Sequence, residues 1–194
     1  EFDNYLKRLG YKFKNENQDF GGYIVLKNKK TCLAIDSGPT PNSRYTKDYQ
    51  SGALSFEIIR NGKKLICNCG YYNKNNFKLN KISKSTATHS TLVIDDQSSC
   101  KINGSLIIDK GLKIFKKNTV FEKNYWRINA SHDGYFKKYN LIHEREIEFY
   151  PEQLKFIGID KIIKKKLNHN YKFDIRFHVE PNVKLMKTQD NKTI

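Results

Sequence analysis

At 194 residues, with 38% apolar and 13% aromatic residues, the chain can bury a substantial core, which excludes a disordered polypeptide. No apolar run approaches the ~18 residues that a membrane-spanning helix needs, so we expect no membrane span. The net charge of +16 comes from 36 basic residues, mostly Lys, against 20 acidic ones; this excess indicates either solvated surface lysines or attraction to a polyanion, and no nucleic-acid recognition motif accompanies it.

The N-terminal half of the chain alternates apolar and polar residues, which is typical of half-buried β-strands. Residues 23–26 and 31–36 form a predicted hairpin. In a second predicted hairpin, residues 54–58 alternate and residues 65–67 return across an Asn61–Gly62 turn. Both residues of that turn tolerate a positive φ, which a two-residue hairpin turn requires.

The period stays close to two in the C-terminal half. Residues 141–149 place Leu, His, Arg, Ile and Phe on one face and three Glu residues on the other, and residues 154–160 are their expected partner strand. Residues 171–179 carry an apolar stripe, with Arg176 and His178 on the opposite, polar face. Many short strands separated by turns predict an all-β fold, an antiparallel two-sheet β-sandwich, with residues 1–194 as a single domain.

Two long polar segments, residues 37–50 and 71–88, separate the predicted strands. Long loops on a rigid β frame commonly carry binding residues, although a disordered crossing has the same composition. No segment shows a capped 3.6-residue period, so only residues 4–9 are predicted to form a short helical turn. The four cysteines form no paired zinc knuckles; we interpret them as reduced packing thiols, with disulfides left open for an exported protein.

The region between Gly52 and Cys100 carries three blocks in a recognisable order: Leu54-Ser55-Phe56, Asn68-Cys69-Gly70 and Thr88-His89-Ser90-Thr91. This order resembles the β-sheet domain of the heparinase II/III-like polysaccharide lyases, which have Leu-Ser-Phe, Asp-x-Gly and Ala-His-Asn-Thr at these places. Residues 131–135, 143–145 and 176–181 are also similar to family segments. The resemblance implies that the chain is the C-terminal part of a longer protein, with an α/α toroid domain upstream in the same chain.

The resemblance also implies a metal position. In family members with the metal, two histidines and an aspartate hold a zinc ion that buttresses the cleft. Asp48 and Gln50 stand where the family has a histidine pair, and the inferred ligand set in this chain is Gln50, Asn68 and His89. Carboxamides are weak zinc donors, so this set holds one good ligand of three. We therefore expect no cofactor, with zinc at a degraded site as the alternative.

The chemistry implied by the resemblance is β-elimination at a uronic acid. A base removes the C5 proton, a donor or cation stabilises the carboxylate, and the 4-O glycosidic oxygen leaves. The family's catalytic Tyr, Asn and His lie on the toroid domain, and Asp48 occupies the inferred place of one further catalytic histidine. The chain alone is therefore expected to be inactive.

Four basic residues are candidates for contact with the anionic groups of a substrate. His143 and Arg145 share one strand face and could bind an anionic sugar group, although a pair with Glu inside the sheet is equally consistent with the pattern. Arg176 and His178 contact carboxylate or sulfate oxygens if their face lines the cleft; otherwise they are solvated.

Three functions follow from these patterns. The first is the β-sheet domain of a lyase acting on uronic-acid-containing acidic polysaccharide. The second is a non-catalytic acidic-glycan-binding or cell-envelope module, which the missing histidine pair favours, and the third is a basic nucleic-acid-binding β domain. The resemblance implies a location in the bacterial periplasm or cell envelope, with the cytoplasm as the alternative.

Overall fold

The computed structural model describes residues 5, 8–10, 18–72, 75–164 and 170–186. The strands among these residues are β1 Gln18–Phe20, β2 Tyr23–Lys27, β3 Thr31–Asp36, β4 Phe56–Arg60, β5 Lys63–Cys67, β6 Leu92–Ile94, β7 Lys101–Ile102, β8 Ile108–Lys110, β9 Ile114–Phe121, β10 Trp126–His132, β11 Leu141–Tyr150, β12 Lys155–Lys164, β13 Phe173–Ile175 and β14 His178–Val179. The helices whose full bounds lie within these residues are α1 Phe77–Ser83, α2 Phe136–Tyr139 and two 3₁₀ helices, Ser43–Tyr45 and Thr86–Thr88.

Two antiparallel sheets enclose the main core. One has the strand order β1-β2-β3-β4-β5-β14 and the other β12-β11-β10-β9, with β13-β6 and β7-β8 as separate two-stranded ribbons. Apolar side chains of β2, β3 and β4 meet those of β10 and β11: Ile24, Leu26, Leu33, Ile35, Phe56, Ile58, Trp126, Ile128, Ile147 and Phe149. Packing of two inner faces in this way defines a sandwich, so the predicted all-β, antiparallel two-sheet β-sandwich is confirmed.

The hairpins follow the local turn chemistry. Strands β2 and β3 pair with Ile24 opposite Ile35, and Arg60 lies opposite Lys63 across the Asn61–Gly62 turn. Both turn residues have a positive φ, 48° and 77°, as this turn requires. Strands β11 and β12 pair along their full lengths, and every second residue of β11 is buried. These predicted hairpins are confirmed.

The segment at residues 71–88 is not only a loop, because it contains helix α1. The Asn76 side chain caps this helix by accepting a hydrogen bond from the Leu79 N–H at 3.0 Å. Its large apolar residues Phe77, Leu79 and Ile82 are exposed, so the helix presents no apolar face to the core that a periodic pattern could reveal. His89 follows the 3₁₀ helix Thr86–Thr88, and the next strand, β6, begins only at Leu92.

Residues 171–179 alternate as predicted, but over residues 173–177 the apolar side chains are the exposed ones. Phe173, Ile175 and Phe177 are each nearly half exposed, whereas Arg176 and His178 point toward the protein and are partly buried. The reason lies in distant partners: β13 pairs with the short strand β6, and Arg176 and His178 on the polar face bind Ala87 and Asp96 on either side of that strand.

Three smaller expectations can be compared with the structure. Tyr5 and Arg8 are helical and the Leu9 N–H donates to the Tyr5 carbonyl at 3.2 Å, while the rest of the predicted turn at residues 4–9 lies outside the described residues. The cysteines are free thiols, and they range from buried Cys100 to exposed Cys69. Among the described residues, no helix has the length and apolarity to cross a bilayer.

Candidate functional site

Gln50, Asn68 and His89, which come from three separate segments, line one cavity of about 420 Å³. Strands β3 and β4 supply its floor, because Asp36 and Glu57 alternate with core residues and so point to the outer face of the six-stranded sheet. We call this space the His89 cavity. Its lining residues are Tyr23, Ala34, Asp36, Asp48, Tyr49, Gln50, Gly52, Ser55, Glu57, Asn68, Gly70 and His89.

His89 is buried and held in one orientation. It ends the 3₁₀ helix Thr86–Thr88, and its Nδ1–H donates to the Ser85 carbonyl at 2.8 Å. This bond assigns the bare lone pair to Nε2, which lies 3.4 Å from Gln50 Oε1. Burial lowers the pKa of His89, which favours the neutral ring. Two hydrogen-bond acceptors therefore face each other, an arrangement suited to a ligand that donates.

The two carboxamides are fixed by backbone contacts. Gln50 Nε2 donates to the Gly70 carbonyl at 2.7 Å, which leaves Oε1 toward the cavity. Asn68 Oδ1 accepts from the Ser90 N–H at 2.8 Å, and the Asn68 N–H donates to Glu57 Oε1 at 3.1 Å. Within the described residues the Asn68 Nδ2 has no hydrogen-bond acceptor. The cavity therefore offers a neutral amide donor beside the acceptor pair.

Gly52 permits the position of the His89 ring. A Cβ atom at residue 52 would lie 2.8 Å from His89 Cδ2 and 3.2 Å from Ser55 Oγ. The first distance is shorter than side-chain atoms tolerate, so any larger residue at position 52 displaces the ring. Glycine at this place is thus explained by close approach rather than by backbone conformation.

Asp36 is the most perturbed acid of the His89 cavity. Burial raises the pKa of Asp36 to about 7, although the Gly38 N–H donates to its Oδ1 at 3.2 Å and acts in the opposite direction. The charge of Asp36, together with burial, also raises the pKa of Tyr23, which lies opposite it on β2. Sequence analysis missed Tyr23, Asp36 and Glu57. The alternation of the predicted strands could have identified these residues, since it places all three on the face of the sheet away from the core.

Asp48 lies at the rim, where it is exposed and accepts a hydrogen bond from Tyr71 Oη at 2.5 Å. The backbone on either side of it is tied down by Lys84, whose buried ammonium group donates to the carbonyls of Lys47 and Tyr49. Burial lowers the pKa of Lys84. The segment that carries Asp48 and Gln50 is therefore anchored from below rather than free to fold over the cavity.

His143 and Arg145 do not reach the His89 cavity. Their side chains are 0% and 1% exposed, between the sheets. Arg145 donates to both carboxylate oxygens of Asp160, at 2.8 Å and 2.9 Å, and to the carbonyls of Leu54 and Ser90. A glycan at the surface has no access to these groups, so their location argues against direct substrate contact and supports a structural role.

The hydrogen bonds around His143 form an ordered chain. The Gly134 N–H donates to His132 Nδ1 at 3.1 Å, His132 Nε2–H to His143 Nδ1 at 3.0 Å, and His143 Nε2–H to Asp160 at 2.6 Å. Each ring thus carries one proton, and burial lowers the pKa of both histidines. Burial would raise the pKa of Asp160, but hydrogen bonds from His143 and Arg145 outweigh it and hold the pKa at about 2. We call these four residues, His132, His143, Arg145 and Asp160, the Arg145 network.

Arg176 and His178 fasten the segment that carries His89. Arg176 donates to the Ala87 carbonyl at 3.5 Å and to Asp96 at 3.1 Å. His178 Nε2–H donates to the same carbonyl at 3.1 Å, and its backbone N–H donates to Ser90 Oγ. Neither side chain lines the His89 cavity. Three of the four predicted substrate contacts, Arg145, Arg176 and His178, therefore hold residues 87–90 in place, whereas His143 bonds only His132 and Asp160 among the described residues.

The donor set does not fit zinc. Only His89 presents a free lone pair of the kind zinc prefers, because the oxygen of Asn68 already accepts from Ser90 and Gln50 contributes a neutral amide. Across the described ranges, no group of three His, Cys, Asp or Glu side chains is arranged to hold a metal. In the His89 cavity, hydrogen bonds of the Gln50 and Asn68 amides fix the lining segments at the place where the resemblance implies bonds to a metal ion.

The fold and the cavity define a class: an antiparallel β-sandwich with a polar cavity of about 420 Å³ on the outer face of one sheet. The family model described as "Heparinase II/III-like, C-terminal" matches residues 16–194, and the chain belongs to this family. No curated protein matches the chain.

Solved structures share the fold. Heparan sulfate lyase HepC from Pedobacter heparinus superposes with a TM-score of 0.69 at 16% identity, over 97% of this chain and 30% of that chain. A mutant of the same enzyme gives 0.68 at 18% identity, over 96% and 28%. Heparinase III gives 0.67 at 18% identity, over 97% and 31%. The chain thus spans less than a third of the length of these proteins, and at such identities the likeness shows the fold alone.

Proposed function

We propose that residues 1–194 form the β-sandwich domain of a longer polysaccharide lyase. This lyase cleaves uronic-acid-containing acidic polysaccharide by β-elimination, in a cleft that an α/α toroid domain of the same chain completes. Family membership supports this proposal. The observation that carries it is the convergence of Gln50, Asn68 and His89 on one cavity.

The polar groups of the His89 cavity suit a sugar acid. In β-elimination the C5–H bond breaks, its electron pair forms the C4–C5 double bond, and the C4–O bond breaks as the oxygen takes a proton. Negative charge develops on the uronate carboxylate during this step, and the neutral Asn68 amide donor could stabilise it. His89 Nε2 and Gln50 Oε1 accept hydrogen bonds from sugar hydroxyls.

Proton transfer is assigned to the toroid domain. Asp48 stands at the inferred place of a catalytic histidine, but it is a rim carboxyl group bonded to Tyr71 and lacks the imidazole that suits a base or acid near neutral pH. The chain by itself is therefore proposed to be inactive. The same departure favours the second candidate, a non-catalytic module that binds acidic glycans.

The ultraviolet absorbance of the unsaturated uronate product tests both candidates. We expect heparan sulfate or an unsulfated polyuronate to yield this product with a longer protein that includes the toroid domain, and none with the 194-residue chain. In the longer protein, His89→Ala and Asn68→Ala should each lower the rate by about tenfold or more. The surface variant Lys161→Ala should leave the rate unchanged.

The outcomes separate the candidates. Product formation by the 194-residue chain alone contradicts the assignment of proton transfer to the toroid domain. Glycan binding by the longer protein with no product from any acidic polysaccharide supports the non-catalytic module. Full activity in both cavity variants removes the His89 cavity from the mechanism.

A further inference from the structure

A second concavity, of about 1020 Å³, borders the His89 cavity. Ser85 lines the larger space and His89 lines the cavity, and the Ser85 carbonyl accepts a hydrogen bond from the His89 ring, so the two spaces lie on either side of this contact. Five exposed lysines line the larger space, which we call the lysine groove: Lys81, Lys101, Lys110, Lys137 and Lys138.

The lysines of this groove are placed at a cost to the fold. Lys101 and Lys110 lie directly opposite each other in the β7–β8 pair, where like charges destabilise the ribbon. Asp109 relieves Lys101 through an ion pair at 3.0 Å. Within the described part of the chain, no salt bridge engages Lys81, Lys110 or Lys137. Repulsion of this kind is relieved when an anion enters the groove.

The acids that line the groove are engaged elsewhere. Asp133 accepts a hydrogen bond from the Lys113 N–H at 2.7 Å, and Asp96 pairs with Arg176 at 3.1 Å. The His89 cavity has the opposite character, with Asp36, Asp48 and Glu57 in its lining. A strongly acidic ligand that reaches the His89 cavity therefore finds its countercharges in the lysine groove, not in the cavity itself.

The groove is built on tightly packed backbone. A Cβ atom at Gly111 would lie 2.5 Å from Thr40 Cβ, and one at Gly134 would lie 2.6 Å from the Ser99 carbonyl oxygen. The backbone at both glycines is therefore in close van der Waals contact with a neighbouring segment. A concavity with such walls exists before any ligand binds, which lowers the entropy cost of binding.

The lining favours a sugar polyanion over a nucleic acid. A volume near the upper end of the usual ~300–1,000 Å³ range for ligand sites admits several linked rings. Single-stranded nucleic acids need exposed aromatic platforms. Of the three aromatic residues in the lining, Tyr135 is buried, the Tyr139 ring packs on Tyr171 with centroids 5.3 Å apart, and Phe136 is half-buried. Gln97 and Ser98 provide the amide and hydroxyl groups that sugar hydroxyls pair with.

We propose that the lysine groove binds a stretch of acidic polysaccharide as a site separate from the His89 cavity, and so anchors the chain whose neighbouring residues enter that cavity. The preference for a polyanion follows from the groove itself. The choice of polysaccharide rests on the proposed function.

A charge-matched pair of triple variants tests the proposal on the 194-residue chain. The groove variant carries Lys81→Gln, Lys110→Gln and Lys137→Gln. The control carries Lys29→Gln, Lys30→Gln and Lys123→Gln, which removes the same charge from exposed positions outside the groove. Titrations use a heparin oligosaccharide, an alginate oligosaccharide and an oligothymidylate at several salt concentrations, and circular dichroism verifies that each variant is folded.

For the groove variant we expect the Kd for heparin oligosaccharide to rise by about tenfold or more, with a shallower dependence of log Kd on log salt. The control should change by less than about twofold. Equal losses of affinity in both variants, or a loss in neither, overturn the proposal. Binding would then depend on the net charge of the chain and not on the position of the lysines in the groove. An oligothymidylate that binds as tightly as heparin and loses as much in the groove variant overturns the polysaccharide assignment.

The cavity variant His89→Ala separates this proposal from the proposed function. If it keeps full glycan affinity while the groove variant loses it, the lysine groove is the anchoring site whether or not the longer protein yields unsaturated product. If His89→Ala loses affinity and the groove variant does not, the groove proposal fails and the His89 cavity remains the glycan site.

Discussion

The His89 cavity and the Arg145 network are two histidine-containing clusters joined by one residue, since Arg145 donates to the carbonyl of Ser90 beside His89. In the network each imidazole has both ring nitrogens paired, and Asp160 receives three hydrogen bonds. In the cavity His89 Nε2 faces another acceptor. A closed cluster can only hold the fold together, whereas an open one can bind a ligand.

The two clusters also treat protons in opposite ways. The network excludes them, because burial lowers the pKa of His132 and His143 while Asp160 stays ionised with a pKa of about 2. In the cavity the Asp36 carboxyl group keeps its proton up to near-neutral pH, because burial raises the pKa of Asp36 to about 7. Their contributions to stability therefore change with pH in opposite directions.

Breaking the network at Arg145 should have the largest effect. Arg145→Met leaves the Asp160 carboxylate and the carbonyls of Leu54 and Ser90 buried without this donor. We expect the free energy of unfolding to fall by about 3–5 kcal/mol, measured by urea denaturation.

The control for Arg145 is the exposed pair of Lys161 and Glu144 on the same two strands, at 3.8 Å. Lys161→Met should cost at most about 1 kcal/mol. Because Arg145→Met could prevent folding, the double variant with Asp160→Asn is measured as well; neutralising the carboxylate should recover part of the loss. If Arg145→Met and Lys161→Met lowered the free energy of unfolding by similar amounts, the buried ion pair of Arg145 would not stabilise the fold more than an exposed one.

Acid should weaken the network over the same pH range in which it favours the protonated Asp36 of the cavity. His132 and His143 have folded pKa values below the ~6.5 of the unfolded chain, so below that pH the unfolded state binds protons that the folded state excludes. Because Asp36, with a pKa of about 7, changes the stability in the opposite direction over the same range, the network is measured in the Asp36→Asn variant. In this variant we expect the free energy of unfolding to fall by about 2–3 kcal/mol between pH 7 and pH 5. A further loss should follow between about pH 4 and pH 2 as Asp160 is protonated.

Urea denaturation at pH 5, 6 and 7 measures this dependence. The imidazole NMR signals of His132 and His143 should show no titration above pH 6 in the folded chain. A ring that titrates at its ordinary pKa, or a stability of the Asp36→Asn variant that stays level from pH 7 to pH 5, contradicts the neutral, hydrogen-bonded chain of rings.

The contribution of the His89 cavity to stability should instead decrease as the pH rises. The folded pKa of Asp36, about 7, lies above the unfolded value, so the unfavourable ionisation of this carboxyl group develops as pH rises from about 4 to 7. Asp36→Asn removes that ionisation and keeps an oxygen for the Gly38 N–H. We expect it to stabilise the chain by about 1–2 kcal/mol at pH 8, with a smaller gain at pH 5. Asp109→Asn, at an exposed carboxyl group paired with Lys101, should give no such gain.

The fold was largely predictable because its signals are local. The Asn61–Gly62 turn and the alternation of residues 31–36 and 141–149 specify hairpins through neighbouring residues alone. Alternation assigns faces but does not say which face is buried. That choice depends on distant partners, and it explains why residues 173–177 expose their apolar side chains.

The site was predictable only in part. The spacing of Gln50, Asn68 and His89 came from the family resemblance, and the structure places them in one cavity. The interior position of Arg145 had a signal in its own strand, since it shares a face with Leu141 and Ile147. Its partner Asp160 lies on another strand and its carbonyl partners lie farther away, so only the tertiary register reveals the network.

The contact between Gly52 and His89 gives the smallest and most local test of the comparison. Gly52→Ala places a methyl group 2.8 Å from the His89 ring, whereas in His89→Ala the space is open. Each single variant should destabilise the chain, and the double variant should cost less than their sum by about 1 kcal/mol in a double-mutant cycle. These variants should leave the Arg145 network unchanged, so the imidazole NMR signals of His132 and His143 should keep their chemical shifts. Additive costs would mean that the ring moves aside freely, and the open lone pair of His89 would then have no fixed direction in which to meet a ligand.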